Sequence, residues 1–503
     1  MSLVAKTLSG MRWTTLAMVT NVSFNLGYTA VMARLLAPSA FGLIAMAQIA
    51  IRFLSYFAQL GVSPALVQKP ELSERDIRAA LTLSVAINTL LFALMWLLAP
   101  LAAEFFGNPE VTPILRGLSA AFLLSGFSVI SLGLLRRNLK FKQLAMVEIV
   151  SYILGYGVVG IGSAYQGFGV WSLVFAVIGQ EAITLAASYA FVRHSLRPLF
   201  AWQDIRHFLH YGGKYSAIGF LEYIGANVDS LLIGRWYGET ALGFYNRGQM
   251  LVKLPMHHIG NAITKVLFPV LSSAQADTQK MARGYLAGWV IIGSLAASVS
   301  LALIPAASDA VLTLLGPQWT AAIPIVEIAA MAVPFAFLTR LSGIVCDAQG
   351  LLWPKFVIQL LTLSALAIAI YVLRGNGVIG FALAMVITEA FRLALYIGLH
   401  FRRLPIPLGE FLRVNAAVVF TAAATTLAVW QTARTAHAYE LLPWWSLLGE
   451  VVAGGAAFVL SFGLAWLWLR TLPAFVALKN QLPLIGRIER LFPAALVGRS
   501  RAA

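Results

Sequence analysis

Apolar stretches of about twenty residues recur along nearly the whole chain, parted by short polar connections. Each is long enough to cross roughly 30 Å of hydrocarbon as a helix. Only helices and closed barrels satisfy their backbone in lipid, and continuous rather than alternating apolar runs predict helices. The runs predict fourteen spans: 13–36, 41–66, 79–103, 113–135, 144–165, 170–192, 214–236, 242–270, 284–307, 321–346, 352–373, 378–400, 411–431 and 446–469. The longest connection, 193–213, holds FAWQDIRHFLHYGG, which reads as an amphipathic helix lying at the interface. The tail 471–503 repeats that idea: Leu484, Ile488 and Leu491 share one face, with Arg487 and Arg490 off it.

The pattern also repeats at long range. ARLLAPSAFGLIAMAQIAIR (33–52) matches GRWYGETALGFYNRGQMLVK (234–253) at an offset of 201, pairing Arg34 with Arg235, Gly42 with Gly243, Gln48 with Gln249 and Arg52 with Lys253. GFGVWSLVFAVIGQE (167–181) matches GNGVIGFALAMVITE (375–389) at an offset of 208, pairing Glu181 with Glu389. Six helices per half, an even number, give both halves the same direction and a pseudo-twofold axis along the membrane normal. The expected organisation is an N-terminal six-helix lobe (1–200), a C-terminal six-helix lobe (201–405), two extra transmembrane helices (406–470) and a cytoplasmic amphipathic tail (471–503). The fold class is an all-α polytopic membrane protein, with two parallel six-helix lobes around a central cavity.

Composition agrees: 60% of residues are hydrophobic and 11% charged, and the mean hydropathy is +0.82. The net charge of +16 first suggests nucleic acid, but its placement argues otherwise. With the N-terminus inside, 25 of the 36 Lys and Arg fall in inner segments and five in outer loops, which puts both termini in the cytoplasm. Topology signals and an anionic inner leaflet account for the charge, and nucleic acid is excluded as a partner. Cys346 is the only cysteine, so no disulfide framework or cysteine-rich metal site is expected. Lys6 and Arg12 precede a run without a small-residue cleavage site, which reads as a retained first helix.

Six cations remain inside helices: Arg52, Arg247, Lys253, Lys265, Arg340 and Arg392. A guanidinium facing lipid at the centre of a span costs roughly 2.5–3.5 kcal/mol on insertion scales. Gln48, Arg52, Tyr56 and Gln59 lie close to one face of the second helix, and Gln249, Lys253, His257, Asn261 and Lys265 recur every four residues in the eighth. Arg52 and Lys253 at matched positions predict a hydrated cationic cavity with an anion to hold; the bland alternative pairs Arg52 with a buried acid. Lys265 is as readily a snorkelling lysine. His257 and His258 have no further residue at ligand spacing, so no metal is expected. Glu181 and Glu389, centred in helices six and twelve, are candidates for ion coupling, with salt bridging of Glu389 to Arg392 the structural alternative. Gly155, Gly157, Gly160 and Gly162 predict close helix packing, and prolines 305, 317, 324 and 334 predict breaks or bends.

VMARLLAPSAFGLIAMAQ, GVSPALVQK, LLRRNLKFKQLAMVEIVS, GFGVWSLV and the second-half stretch DSLLIGRWYGETALGFYNRGQMLVKLP resemble the Wzx-type polysaccharide flippases. The resemblance is to the colanic-acid and exopolysaccharide branch of the multidrug/oligosaccharidyl-lipid/polysaccharide exporter superfamily, over roughly residues 10–400. It implies two lobes forming a V-shaped cavity, and alternating-access transfer of undecaprenyl-diphosphate-linked oligosaccharide to the outer leaflet of the bacterial inner membrane. Related lipid II flippases use arginines on helices one, two and eight toward the substrate diphosphate, and Arg52 and Lys253 match two of these. The first helix departs, with Asn21 and Asn25 at its centre and Arg12 only at its inner end, which favours a polysaccharide over a peptidoglycan precursor.

The diphosphate would take Arg52 and Lys253, with Arg247 or Arg340 in support. The sugars would take Asn21, Asn25, Gln48, Gln249, His257 and Tyr56, and the polyprenyl chain needs a lateral opening. No cofactor is called for, and polysaccharide polymerase machinery is an expected partner. Two other readings compete. A multidrug exporter of the same superfamily would favour acids for organic cations. A membrane-embedded sugar polymerase or ligase would need a sizeable catalytic outer loop, whereas every outer loop here is short and no acid–base constellation stands out.

Overall fold

The computed structural model describes residues 3–58, 66–67, 69, 71–200, 227–253, 271–272, 274–275 and 277–472. Among them no strand occurs. The helices are α1 (Leu3–Leu35), α2 (Pro38–Ala58), α3 (Glu74–Phe106), α4 (Val111–Arg137), α5 (Phe141–Tyr165), α6 (Trp171–Phe191), α7 (227–253), α8 (Thr278–Leu314), α9 (Ile323–Ala348), α10 (Leu352–Leu373), α11 (Gly377–Arg403), α12 (Leu408–Ala438) and α13 (Pro443–Leu469). Nine continuous helical stretches among the described residues are long and apolar enough to cross a membrane. The all-helical membrane class is thus observed. Of the expected interfacial helix at 200–213 only residue 200 is described, and it is non-helical; the remainder lies outside the described residues, as does the tail from 473. Expected spans 214–236 and 242–270 are described only as α7, whose helical backbone is interrupted at Gly238 (φ +79°).

By packing, the chain forms two compact units, Met1–Asn246 with Leu314–Trp319, and Arg247–Thr313 with Thr320–Ala503. In the first unit α3 begins with a capping box: the Ser73 hydroxyl accepts from the Asp76 amide (3.2 Å), and the Asp76 carboxylate accepts from the Ser73 amide (3.0 Å). The α3–α4 pair closes over buried Asn88, whose amide donates to Ser84 O (2.8 Å) and accepts from Ser125 (3.1 Å). Ser84 in turn reaches Gly126 O (2.8 Å), so this buried polar group is partnered.

Residues matched by the repeat meet each other in this unit. A Cβ on Gly42 would lie 1.6 Å from the carbonyl oxygen of Glu239, and one on Gly243 would lie 2.1 Å from that of Pro38. Pro38 and Glu239 are themselves matched at the same offset, so the contact is reciprocal, the signature of a two-fold relation. Arg34 and Arg235 follow suit: Arg34 donates to Leu314 O at the end of α8 (3.4 Å), and Arg235 to Glu104 O near the end of α3 (3.2 Å). Each arginine puts its charge on the carbonyl end of a helix, where the dipole favours a cation. Trp319, fully buried, donates to Ala33 O (2.8 Å) and packs edge-on against Phe41 and Phe244.

In the second unit α8 forms the core, continuing through Pro305 rather than breaking there. Pro334 likewise lies inside α9, while Pro317 opens a 3₁₀ turn and Pro324 sits in the first turn of α9. The prolines that open helical segments sit where a missing N–H costs nothing. Trp289 is buried between Tyr285 and Phe411 and donates to Asn415 (3.2 Å).

The segment after α6 is strapped along α3: Arg78 donates to Arg197 O (3.1 Å) and Pro198 O (3.2 Å), and Thr82 accepts from the Leu199 amide (2.7 Å). His194 in that segment contacts Ser131 (3.1 Å). Burial holds its imidazole below the ordinary 6.5, outweighing the Ser195 carbonyl that pulls upward. The unfolded chain therefore binds a proton that the folded one resists, and stability falls as pH drops through the ordinary histidine value. His194→Gln is expected to flatten that loss between pH 7 and 5, read as the pH dependence of thermal unfolding in detergent.

Candidate functional site

The first helix carries its polar centre against α5. Asn21 Nδ2 donates to Glu148 Oε1 at 2.8 Å, and one turn on Asn25 Nδ2 donates to Tyr152 Oη. Phe24 meets Tyr152 edge-on (5.5 Å), Tyr28 meets Tyr156 (5.0 Å), and Lys142 lies 5.4 Å over the ring of Trp13. Partners separated by a near-constant interval run in parallel, as two helices of odd number in an in–out succession must. The result is a row of amide, carboxylate and aromatic groups. Asn21 Oδ1 and Asn25 Oδ1 are buried without a hydrogen-bond partner among the described residues, so acceptor capacity remains on this row.

Glycines explain how the row is seated. A Cβ on Gly157 would meet the Phe24 ring at 2.9 Å, one on Gly155 would meet the backbone N of Gln180 at 2.5 Å, and one on Gly160 the Ala176 methyl at 2.9 Å. The packing expectation holds for these three and fails for Gly162, which has nothing within 4 Å. Through this stretch, Ile153–Ile161, α5 winds as a π-helix, a form that recurs at functional sites. Glu181 follows Gln180 on α6, half-buried, with no hydrogen bond or ion pair among the described residues.

The other expected site residues distribute as follows. Arg52 is exposed on α2 and has no hydrogen bond or ion pair among the described residues; Gln48, one turn earlier, is half-buried. In the second unit Lys253 is exposed at the described end of α7, likewise without a partner among the described residues. Gln249 is buried with its amide 3.5 Å from Met385 Sδ, and Arg247 reaches Met250 Sδ at 3.1 Å. Arg340 is exposed on α9. Glu389 is held by Arg392 at 2.5 Å, so the salt-bridge alternative is what forms there. His257, His258, Asn261, Lys265, Gln59 and the side chain of Tyr56 lie outside the described residues.

Glu148 is a site residue that the sequence pattern did not single out. It is the one acid in the apolar run 143–165, and that isolation was the available signal. Mutating Asn21 and Glu148 to alanine, singly and together, is expected to give a coupling of about 1 kcal/mol, typical of a hydrogen bond to a charged group partly open to water. Thermal unfolding of the four proteins measures it, and strict additivity would refute the bond.

Apolar helices of membrane length, with a cation that has no ion pair among the described residues on one apolar helix and a polar row on another, define a polytopic helical membrane protein. The chain belongs to the family described as polysaccharide biosynthesis protein, whose sequence profile matches residues 31–324. It is 24% identical over 330 residues to the lipopolysaccharide biosynthesis protein WzxC of Escherichia coli (strain K12), covering 65% of this chain and 67% of that one. It is 24% identical over 344 residues to the succinoglycan biosynthesis transport protein ExoT of Rhizobium meliloti (strain 1021), covering 67% and 69%. In fold it is similar to the lipid II flippase MurJ in its inward closed conformation, with a TM-score of 0.68 and 13% identity over 92% of this chain and 99% of that one.

Proposed function

We propose that this protein is a flippase, not an enzyme, which carries an undecaprenyl-diphosphate-linked oligosaccharide repeat unit from the cytoplasmic to the periplasmic leaflet by alternating access. It serves exopolysaccharide, O-antigen or capsule synthesis in a bacterial inner membrane, with both termini cytoplasmic. The family and the names of its relatives support the class. The observation that carries the substrate chemistry is Arg52: a guanidinium inside an apolar helix, exposed, with no acidic partner among the described residues. Such a charge persists where an anion or water meets it.

Arg52 and Lys253 each offer a cation to the diphosphate, with Arg247 and Arg340 in support. The row of Asn21, Asn25, Glu148 and Tyr152, with Gln48 and Gln249, offers the amide, carboxylate and aromatic groups that recognise sugar hydroxyls and ring faces. The polyprenyl chain stays in lipid through a lateral opening. Moving negative charge outward from a negative-inside cell gains about 2.3 kcal/mol per elementary charge per 100 mV. Polymerase machinery on the outer side consumes the delivered repeat unit.

The test is reconstitution of the full chain in vesicles carrying a lipid-linked oligosaccharide with the sugar label on one leaflet. Protein-dependent appearance of label on the other leaflet is expected. Label that stays put, or export of organic cations instead, refutes the reading.

A further inference from the structure

The two C-terminal helices carry ionisable groups that the proposed substrate path does not use. Near the end of α8, Asp309 is buried, with 3% of its side chain exposed. Ser446 Oγ lies 2.6 Å from Asp309 Oδ2 and 3.0 Å from Glu450 Oε1, and Ser446 and Glu450 are each 1% exposed in the first two turns of α13. His437 Nε2, in the last turn of α12, lies 3.0 and 3.2 Å from the two Asp309 oxygens. Its side chain is 51% exposed. The second Glu450 oxygen, Oε2, is buried with no hydrogen-bond partner among the described residues.

Ser446 has one proton and can donate it to one carboxylate only. Given to Asp309, it leaves the serine oxygen able to accept, and Glu450 completes the chain only by bringing a proton of its own. With both carboxyls ionised, two buried like charges would share the Ser446 proton and the one that His437 Nε2 offers to Asp309, and Glu450 Oε2 would stay without a donor among the described residues. Asp309 also stands near the carbonyl end of α8, where the helix dipole disfavours an anion.

A cavity of about 900 Å³ opens beside the cluster, lined among others by Pro305, Ser308, Glu327, Trp430, Arg434 and His437. Of the charged groups that line the cavity, Glu327 comes from α9 and Arg434 and His437 from α12. The Arg434 guanidinium is engaged with the Trp430 ring at 5.5 Å. His437 is therefore the basic group in contact with both the cavity and the buried pair.

We propose that Asp309, Ser446 and Glu450 form a proton-binding site loaded from the cavity through His437, and that its occupancy is linked to transport. The link rests on the flippase reading; the site does not. A proton arriving at His437 Nδ1 releases the Nε2 proton to Asp309. Asp309 passes its proton to the Ser446 oxygen as the Ser446 proton passes to Glu450. The serine, aspartate and histidine recover their charges, and one proton is stored on Glu450. Its loss leaves two buried carboxylates on α8 and α13, which drives those helices apart. In the proposed orientation the cluster lies at the outer side, facing the periplasm.

Infrared difference titration of the full-length protein in lipid nanodiscs tests the site, with isotopic labelling of the glutamate carboxyls. A protonated-carboxyl band that shifts with the label, persists at neutral pH and is lost in Glu450→Gln is expected. Asp309→Asn, which preserves shape and hydrogen bonding, serves as the second variant and is expected to move the band. Absence of the band in the unaltered protein, or its survival in Glu450→Gln, overturns the site. In parallel, the pH dependence of flipping is expected to be lost in Glu450→Gln. If the band is lost but the flipping profile is unchanged, the link to transport is overturned. If the unaltered protein flips nothing at any pH, the flippase reading fails, and the infrared result still decides the proton site.

Discussion

Flipping of lipid-linked oligosaccharide is expected to fall at least tenfold in Arg52→Gln and in Lys253→Gln, and about a hundredfold when both are changed. A hydrogen bond to a charged group contributes about 1.5–3 kcal/mol, and about 1.4 kcal/mol is a factor of ten. Glutamine keeps a polar side chain of intermediate length but cannot neutralise a diphosphate. The change should leave folding intact, because neither residue has an ion pair to break among the described residues. Removing a charge from an apolar span, if anything, eases insertion. The decisive comparison is therefore transport against thermal unfolding, measured on the same preparations. Loss of transport at unchanged stability supports a diphosphate site; full transport in all three variants removes it.

Gly42→Ala is expected to destabilise the protein by about 3 kcal/mol or more, with poor recovery of folded material. Overpacking a well-packed core commonly costs about 1–3 kcal/mol. Here the added methyl would sit 1.6 Å from a backbone carbonyl of Glu239, so two helix backbones must separate rather than one side chain turn aside. The reciprocal contact of Gly243 with Pro38 would open with it. Gly162→Ala is the control: it lies in helical backbone (φ −59°, ψ −43°) with nothing within 4 Å, and is expected to be neutral or to stabilise by up to about 1 kcal/mol. Detergent-resistant folded fraction and unfolding temperature separate the two. Equal behaviour of both variants would refute the packing role assigned to Gly42.

The same pair of glycines shows how a sequence match gains physical meaning. As letters, Gly42 and Gly243 are one identity among several in an offset of 201. In the structure they are the positions where matched helices touch, and only a missing Cβ permits it. Arg34 and Arg235 are one more match at that offset, and each puts its charge on the carbonyl end of a distant helix. Asn21 and Asn25 were legible as polar residues in an apolar span, but their partners Glu148 and Tyr152 were not, because an interval of 127 residues has no local signature. Glu389 went the other way: its partner was one turn off, and the salt bridge foreseen as an alternative is present.

An all-helical membrane protein with an internal repeat and cations inside its apolar helices was legible from the order of residues alone. Those properties follow from hydrocarbon thickness, helical periodicity and the cost of buried charge, which act on neighbouring residues and so are written along the chain. Which polar groups meet was set by the packing of the helices. Asp309, His437, Ser446 and Glu450 come from three helices, with Asp309 and His437 128 residues apart and Asp309 and Ser446 137 apart. Nothing local marks them as a set, because a shared proton depends on ångström distances that packing alone creates.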